Sequence, residues 1–299
     1  MRIPEQFVRW EVASELPEDR TRFYGGSDMP AIVGEDPYKT RLMVWYEKLG
    51  RWQTEEPTDA MRLGKLFEKP IAELLRQKTG YVVYDEVPAA RKELHGISLP
   101  LIGHADAVAL INGEPVIVEI KNLNQFNNQT DHYKWQVLFY MFVYGIKKAL
   151  LVVLHGGSRL TIDEYEFDEE ALNYMLEKLR EFDRYLVTET RPEPVGSERE
   201  VEMLLRLQEG FEGAIEIEDA LIDEYLSLGE QIKELERKQN EVKARILQLL
   251  EENNANLGIG SLYMAKVIKG VRKVKPVLEE KEVPFTQLRV VKRKGGDEQ

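Results

Sequence analysis

The 299-residue sequence contains no cysteine. That single absence excludes disulfides, zinc fingers, thiol catalysis and iron–sulfur clusters. Long apolar runs are missing too, and no stretch approaches the roughly 18 residues that a membrane-spanning helix needs. The opening MRIPEQFVRWEVASELPEDR lacks the apolar core of a signal peptide. Positive charge is in deficit, with 41 Lys and Arg against 53 Asp and Glu and a net charge of −12. A surface of that sign does not bind nucleic acid indiscriminately, although a local basic track remains compatible with it. These absences point to a cytoplasmic protein with no membrane association.

What is present suffices for a folded enzyme. With 43% hydrophobic residues the chain can bury a sizeable core, and its length suits one catalytic domain with an appendage. Ser27-Asp28 after two glycines is a helix N-cap signal, with Met29-Pro30 in the first turn. A second helix is expected over residues 40–49. Met61, Leu63, Leu66, Phe67, Ile71, Leu74 and Leu75 recur at helical spacing, predicting a helix over 58–78 that stops at Gly80. Residues 81–84 read as a strand. Residues 104–110 and 116–120 read as a hairpin pair turned at Asn112-Gly113. A polar stretch, NLNQFNNQTDHYK, precedes the apolar helix WQVLFYMFVYG. Strands at 149–154 and 160–167 follow, then a helix capped by Asp168.

Beyond Arg191-Pro192-Glu193-Pro194 the pattern changes. Leu221, Tyr225, Leu228, Ile232, Leu235, Gln239, Val242, Ile246 and Leu249 alternate three and four apart, a heptad seam of about four repeats. Short strands rich in Lys and Arg are expected after it. The division is therefore a catalytic domain at 1–195, a linker and coiled-coil helix at 196–257, and a basic segment at 258–299.

The sharpest chemical signal is Asp106 followed by Glu119-Ile120-Lys121. Side chains alternate along a strand, so Glu119 and Lys121 emerge on one face, and the hairpin brings Asp106 alongside Glu119. Two charges in a Val/Ile strand are unfavourable unless paired or bound to metal. Two carboxylates and a lysine suit phosphodiester hydrolysis: the acids hold Mg²⁺ and the lysine orients water or stabilises developing charge. An isolated Glu-x-Lys is also common on exposed strands. Glu68 lies amid an apolar helix face, Gln136 opens an apolar helix where a polar group needs a partner, and Arg20 stands seven residues before Ser27. Each alone also fits an ordinary surface charge or cap.

Arg20, GGSDMPAIVG, GKLFEKPIAELLRQKTG, HADAV, VEIKN and WQVLFYM follow one another in an order that resembles the YqaJ-type viral recombinases, the family that includes phage lambda exonuclease. The resemblance covers about residues 15–190. It implies an α/β restriction-endonuclease-like core of the PD-(D/E)XK type, with a central mixed sheet flanked by helices. Glu68, Asp106, Glu119 and Ile120 would then surround Mg²⁺, with Mn²⁺ able to substitute. Lys121 would be the catalytic lysine and Gln136 its helper. Arg20, Ser27 and His104 would meet the 5′-phosphate of a DNA end, His104 replacing a serine of lambda exonuclease. The implied activity is 5′→3′ digestion of one strand of linear duplex DNA in phage or prophage recombination. Its implied partners are double-stranded ends, a single-strand annealing protein and further copies of the chain in a trimer or other ring. The alternatives are a structure-specific or RecB-like endonuclease on the same core, or a non-catalytic DNA-binding protein working through the coiled coil. The polar loop at 122–134 and the basic tail at 266–294 are either DNA contacts or solvated surface.

Overall fold

A computed structural model describes residues 1–14, 19–53, 58–125 and 129–268. Its elements begin with β1 (Tyr24–Gly25), α1 (Met29–Val33), α2 (Arg41–Lys48) and α3 (Asp59–Thr79). Next come β2 (Val82–Tyr84), β3 (Ala90–Lys92), β4 (Leu101–Gly103), β5 (Ala107–Ile111) and β6 (Glu114–Leu123). Then follow α4 (Tyr133–Tyr144), β7 (Lys148–His155), β8 (Arg159–Glu166), α5 (Glu169–Val187) and α6 (Glu198–Leu207). All of these belong to one unit, Met1–Leu207; a second, Gln208–Gln299, holds α7 (Asp219–Glu252), β9 (Leu257–Ile259) and β10 (Met264–Lys266).

The first unit is α/β, with mixed sheets flanked by helices. Its larger sheet has the order β2-β5-β6-β7-β8, antiparallel except for the parallel pair β6–β7. Asn112 and Gly113 both take positive φ, 54° and 82°, which closes the tight hairpin between β5 and β6. A parallel pair needs a crossover, and α4 supplies it between β6 and β7. The alternation of β6 divides two apolar layers. Val116, Val118 and Ile120 pack with Ile71, Ala72 and Leu75 of α3, while Ile117 faces the larger cluster around α4.

Helix α4 is apolar on almost every side, as a helix buried all round must be; Val137, Phe139 and Met141 are among its fully enclosed residues. It packs against β6 and β7 of the large sheet and against β3 and β4 of a second, three-stranded sheet of order β1-β4-β3. A polar side chain on α4 is thereby held between two sheets.

Several local expectations hold. The helices expected at 40–49 and 58–78 form, Asp168 accepts N-cap hydrogen bonds at the start of α5, and Gly80 ends α3 in the left-handed region; Thr40 and Thr58 prove to be the caps of α2 and α3. Others need correction. The Asp28 side chain makes no cap bond to α1. The periodic stripe of α3 is only partly buried: Ile71 and Leu75 are enclosed, whereas Met61, Leu63, Leu66 and Phe67 are exposed. His104 lies outside β5, in the connection from β4. The first unit also continues past the expected boundary at 195. Glu200 of α6, fully buried, accepts from the Thr40 hydroxyl at 2.6 Å and from the Val195 and Gly196 amides at 2.8 Å. Those bonds fasten α6 to α2.

In the second unit, α7 is a 34-residue helix, and β9 pairs antiparallel with β10. The expected strand at 285–294, most of the basic tail and residues 126–128 of the polar loop lie outside the described residues.

Candidate active site

The β5–β6 register pairs Ala107 with Val118, so Asp106 comes opposite Glu119 one position on. The Ile120 amide donates to Asp106 Oδ2 at 2.7 Å. Glu119 is 1% exposed; its Oε1 accepts from Lys121 Nζ at 2.6 Å, whereas the buried Oε2 has no hydrogen-bond partner among the described residues. From α4, Gln136 Oε1 accepts from Lys121 Nζ at 3.1 Å, and Gln136 Nε2 donates to the Tyr140 hydroxyl at 3.0 Å. The Tyr133 ring lies 4.7 Å from the same ammonium. Glu119, Lys121 and Gln136 thus meet as a pair of same-face strand residues under a buried helix.

The electrostatics follow from this crowding. Burial, then the neighbouring Asp106, pushes the Glu119 carboxyl up to about 8 despite Lys121. Burial also raises Asp106, opposed by Lys121 and the Ile120 amide. Burial alone would lower Lys121, but Glu119 and Asp106 outweigh it and hold the ammonium protonated. Glu68 is pushed up to about 7, first by burial and then by Asp106. Glu68 therefore senses the pair, although it belongs to the layer on the other face of the sheet. Among the described residues no three acidic or histidine side chains already converge on one point. What fits a hard cation is the orphaned Glu119 Oε2 beside Asp106, two buried carboxyl groups whose crowding a bound cation would relieve.

The second cluster lies at the β1–β4 pairing, where Tyr24 is opposite Leu101 and Gly25 opposite Ile102. Arg20 Nη2 donates to Ser27 Oγ and to Asp28 Oδ1, both at 2.9 Å. His104, exposed, follows directly after β4. Gly26 admits no side chain, because an added Cβ would stand 2.6 Å from Tyr140 Cε1. Tyr140 thus touches this cluster with its ring and the Lys121–Gln136 group with its hydroxyl.

Asp28 was read only as a helix cap, and Lys39, Lys48 and Tyr140 escaped the sequence reading. Asp28 is fully enclosed. Lys48 Nζ approaches its Oδ2 at 2.8 Å, Lys39 Nζ its Oδ1 at 3.5 Å, and the Gly25 amide donates to Oδ2 at 3.0 Å. Burial would raise its pKa, but Lys48, Lys39 and Arg20 hold the carboxyl well below the usual range. Two signals were available: a lysine closing the apolar run LMVWYEK, and a tyrosine four residues after Gln136.

Residues 16–147 match the family model of the YqaJ-like viral recombinase domain. Arg20, Ser27, Asp28, Glu68, Asp106, Glu119, Lys121, Gln136 and Tyr140 all fall within the matched residues. The chain is also similar to the uncharacterized protein YqaJ of Bacillus subtilis (strain 168), 28% identical over 264 residues, covering 83% of this chain and 80% of that protein. Among solved structures it is similar to an alkaline exonuclease from Laribacter hongkongensis, at 15% identity and TM-score 0.43 over 56% of this chain and 89% of that one. A phage-related exonuclease from Haemophilus somnus 129PT gives 14% identity and TM-score 0.45 over 56% and 96%.

Proposed function

We propose that the chain is a metal-dependent deoxyribonuclease with a PD-(D/E)XK-type core, which digests one strand of linear duplex DNA from its 5′ end. The observation that carries this reading is the buried Glu119, with one oxygen on Lys121 and the other unpartnered beside Asp106. The names of similar proteins, two of them exonucleases, agree with it. Asp106 and Glu119, with Glu68 and the Ile120 backbone, would hold Mg²⁺ or Mn²⁺. Such an ion, when bound, polarises the phosphodiester and makes water more acidic.

The chain's own groups supply the rest. Lys121 stays protonated, so it acts as a donor to the phosphoryl oxygens as negative charge grows on them during attack by water. Gln136, anchored by Tyr140, fixes the direction of that ammonium. Arg20 and Ser27 receive the terminal 5′-phosphate, with His104 at the rim. Contact between Gly26 and the Tyr140 ring keeps the two groups of residues in register, favouring exonuclease over endonuclease action. The single-stranded product would pass to an annealing protein, and the seam on α7 would join copies of the chain or that partner.

The test compares linear duplexes bearing 5′-phosphate or 5′-hydroxyl ends with covalently closed circles, in Mg²⁺ or EDTA. Mg²⁺-dependent loss of linear DNA alone, faster from 5′-phosphate, is the expected result. Cutting of circles would replace the exonuclease by an endonuclease, and no cleavage would refute both.

A further inference from the structure

Arg20 is held in an unusual way for an arginine whose side chain is 49% exposed. Nη2 alone makes both inward bonds, to Ser27 Oγ and Asp28 Oδ1. The Nε and Nη1 hydrogens have no hydrogen-bond partner among the described residues, so one end of the guanidinium is clamped and the rest presented. A flexible arginine loses substantial rotamer freedom on binding an anion; one already gripped does not. The grip is itself firmly seated. Asp28 is enclosed and shares Lys48, whose side chain is 1% exposed, and Lys48 also donates to the Arg20 and Phe23 carbonyls at 2.8 and 2.6 Å. The carboxylate, the buried ammonium and the backbone at Arg20 therefore form one rigid block.

Charge supports the same role. Lys39 pairs with Glu47 at 2.5 Å as well as approaching Asp28. Arg20, Lys39 and Lys48 thus exceed Asp28 and Glu47 by one positive charge. Asp28 has no solvent exposure with which to meet an anion. It orders the cations without presenting negative charge to the ligand.

We infer that Asp28 is a positioning residue, which orients Arg20 beside Ser27 so that a terminal phosphate monoester is received without reorganisation. This rests on the end-pocket reading above. The test measures binding, in EDTA, of fluorescent duplexes with 5′-phosphate or 5′-hydroxyl ends, so that no cleavage is required. Asp28→Asn should reduce the preference for 5′-phosphate about tenfold, the size expected from one charge-assisted hydrogen bond, and leave 5′-hydroxyl binding unchanged. Because Asp28→Asn alone leaves Lys48 buried and unpaired, the double variant Asp28→Asn with Lys48→Met removes both charges and should show the same loss in a folded protein. Lys39→Met removes one positive charge and its 3.5 Å approach to Asp28 but leaves the Arg20 Nη2 bond in place, and should retain the preference within about twofold. A stronger preference in Asp28→Asn beside a weaker one in Lys39→Met would overturn the inference in favour of simple net charge, since the first raises the local charge and the second lowers it. Full preference in the folded double variant would overturn it outright. No preference in the unaltered protein would refute the end pocket itself, and the role of Asp28 with it.

Discussion

Replacing Glu119 by glutamine should remove cleavage and yet make the metal-free protein more stable at alkaline pH. The carboxyl titrates near 4.5 when unfolded and is pushed up to about 8 in the fold, by burial and then Asp106, even with Lys121 opposing. Folded protein therefore binds this proton more tightly than unfolded protein. Stability is complete below pH 4.5 and is lost as pH rises to about 8. At about 1.4 kcal/mol per unit the whole shift has a ceiling of roughly 5 kcal/mol. Asp106 shares the same proton, so a gain of about 2 kcal/mol is the working figure, or about 4–8 °C for a domain of this size. Glutamine keeps an oxygen for Lys121 and sheds the charge. The assay is thermal unfolding of both proteins in EDTA from pH 5 to pH 8. The difference in Tm should be smallest at pH 5 and grow steadily with pH in favour of the variant. A flat difference, or a less stable variant at pH 8, would mean that attraction to Lys121 outweighs burial, and the reasoning would fail.

Other outcomes are equally specific. Lys121→Ala should lower kcat about 10²–10³-fold while DNA affinity changes little, as for a group acting on developing charge; steady-state kinetics with equal losses in both would demote it to a binding residue. Gly26→Ala drives a methyl to 2.6 Å from Tyr140 Cε1 and should lower the urea midpoint by the equivalent of about 1–3 kcal/mol; an unmoved midpoint would show that the ring yields freely. Leu228→Asp with Leu235→Asp strikes the middle of the exposed α7 seam and should reduce the mass measured by light scattering. An unchanged mass would clear the seam of any part in assembly.

Much of the site was legible because its rules are local. Glu119 and Lys121 share a face by the two-residue period of a strand, and Asn112-Gly113 placed Asp106 opposite them by turn chemistry alone. The cap at Asp168 depends on amides two and three residues away. The uninterrupted heptads of α7 likewise needed no partner to be read as helix. The sequence by itself therefore determined the strand that carries Glu119 and Lys121, its hairpin and most helices.

Tertiary structure decided what depends on partners far apart in the chain. Strands of two or three residues, such as β1 and β4, are too short to show a period, and they find each other only across the fold. Lys48 reaches the carbonyl of Arg20 across 28 residues, so the clamp around Asp28 leaves no periodic trace, and Ser27-Asp28 reads as a plain cap. The α3 stripe repeats correctly, but which of its turns meet the sheet depends on where the sheet ends. Tertiary packing likewise set the distance between the two clusters. A helix sealed between two sheets fixes Gln136 against Lys121 and Tyr140 against Gly26, because neither side chain has room to turn away.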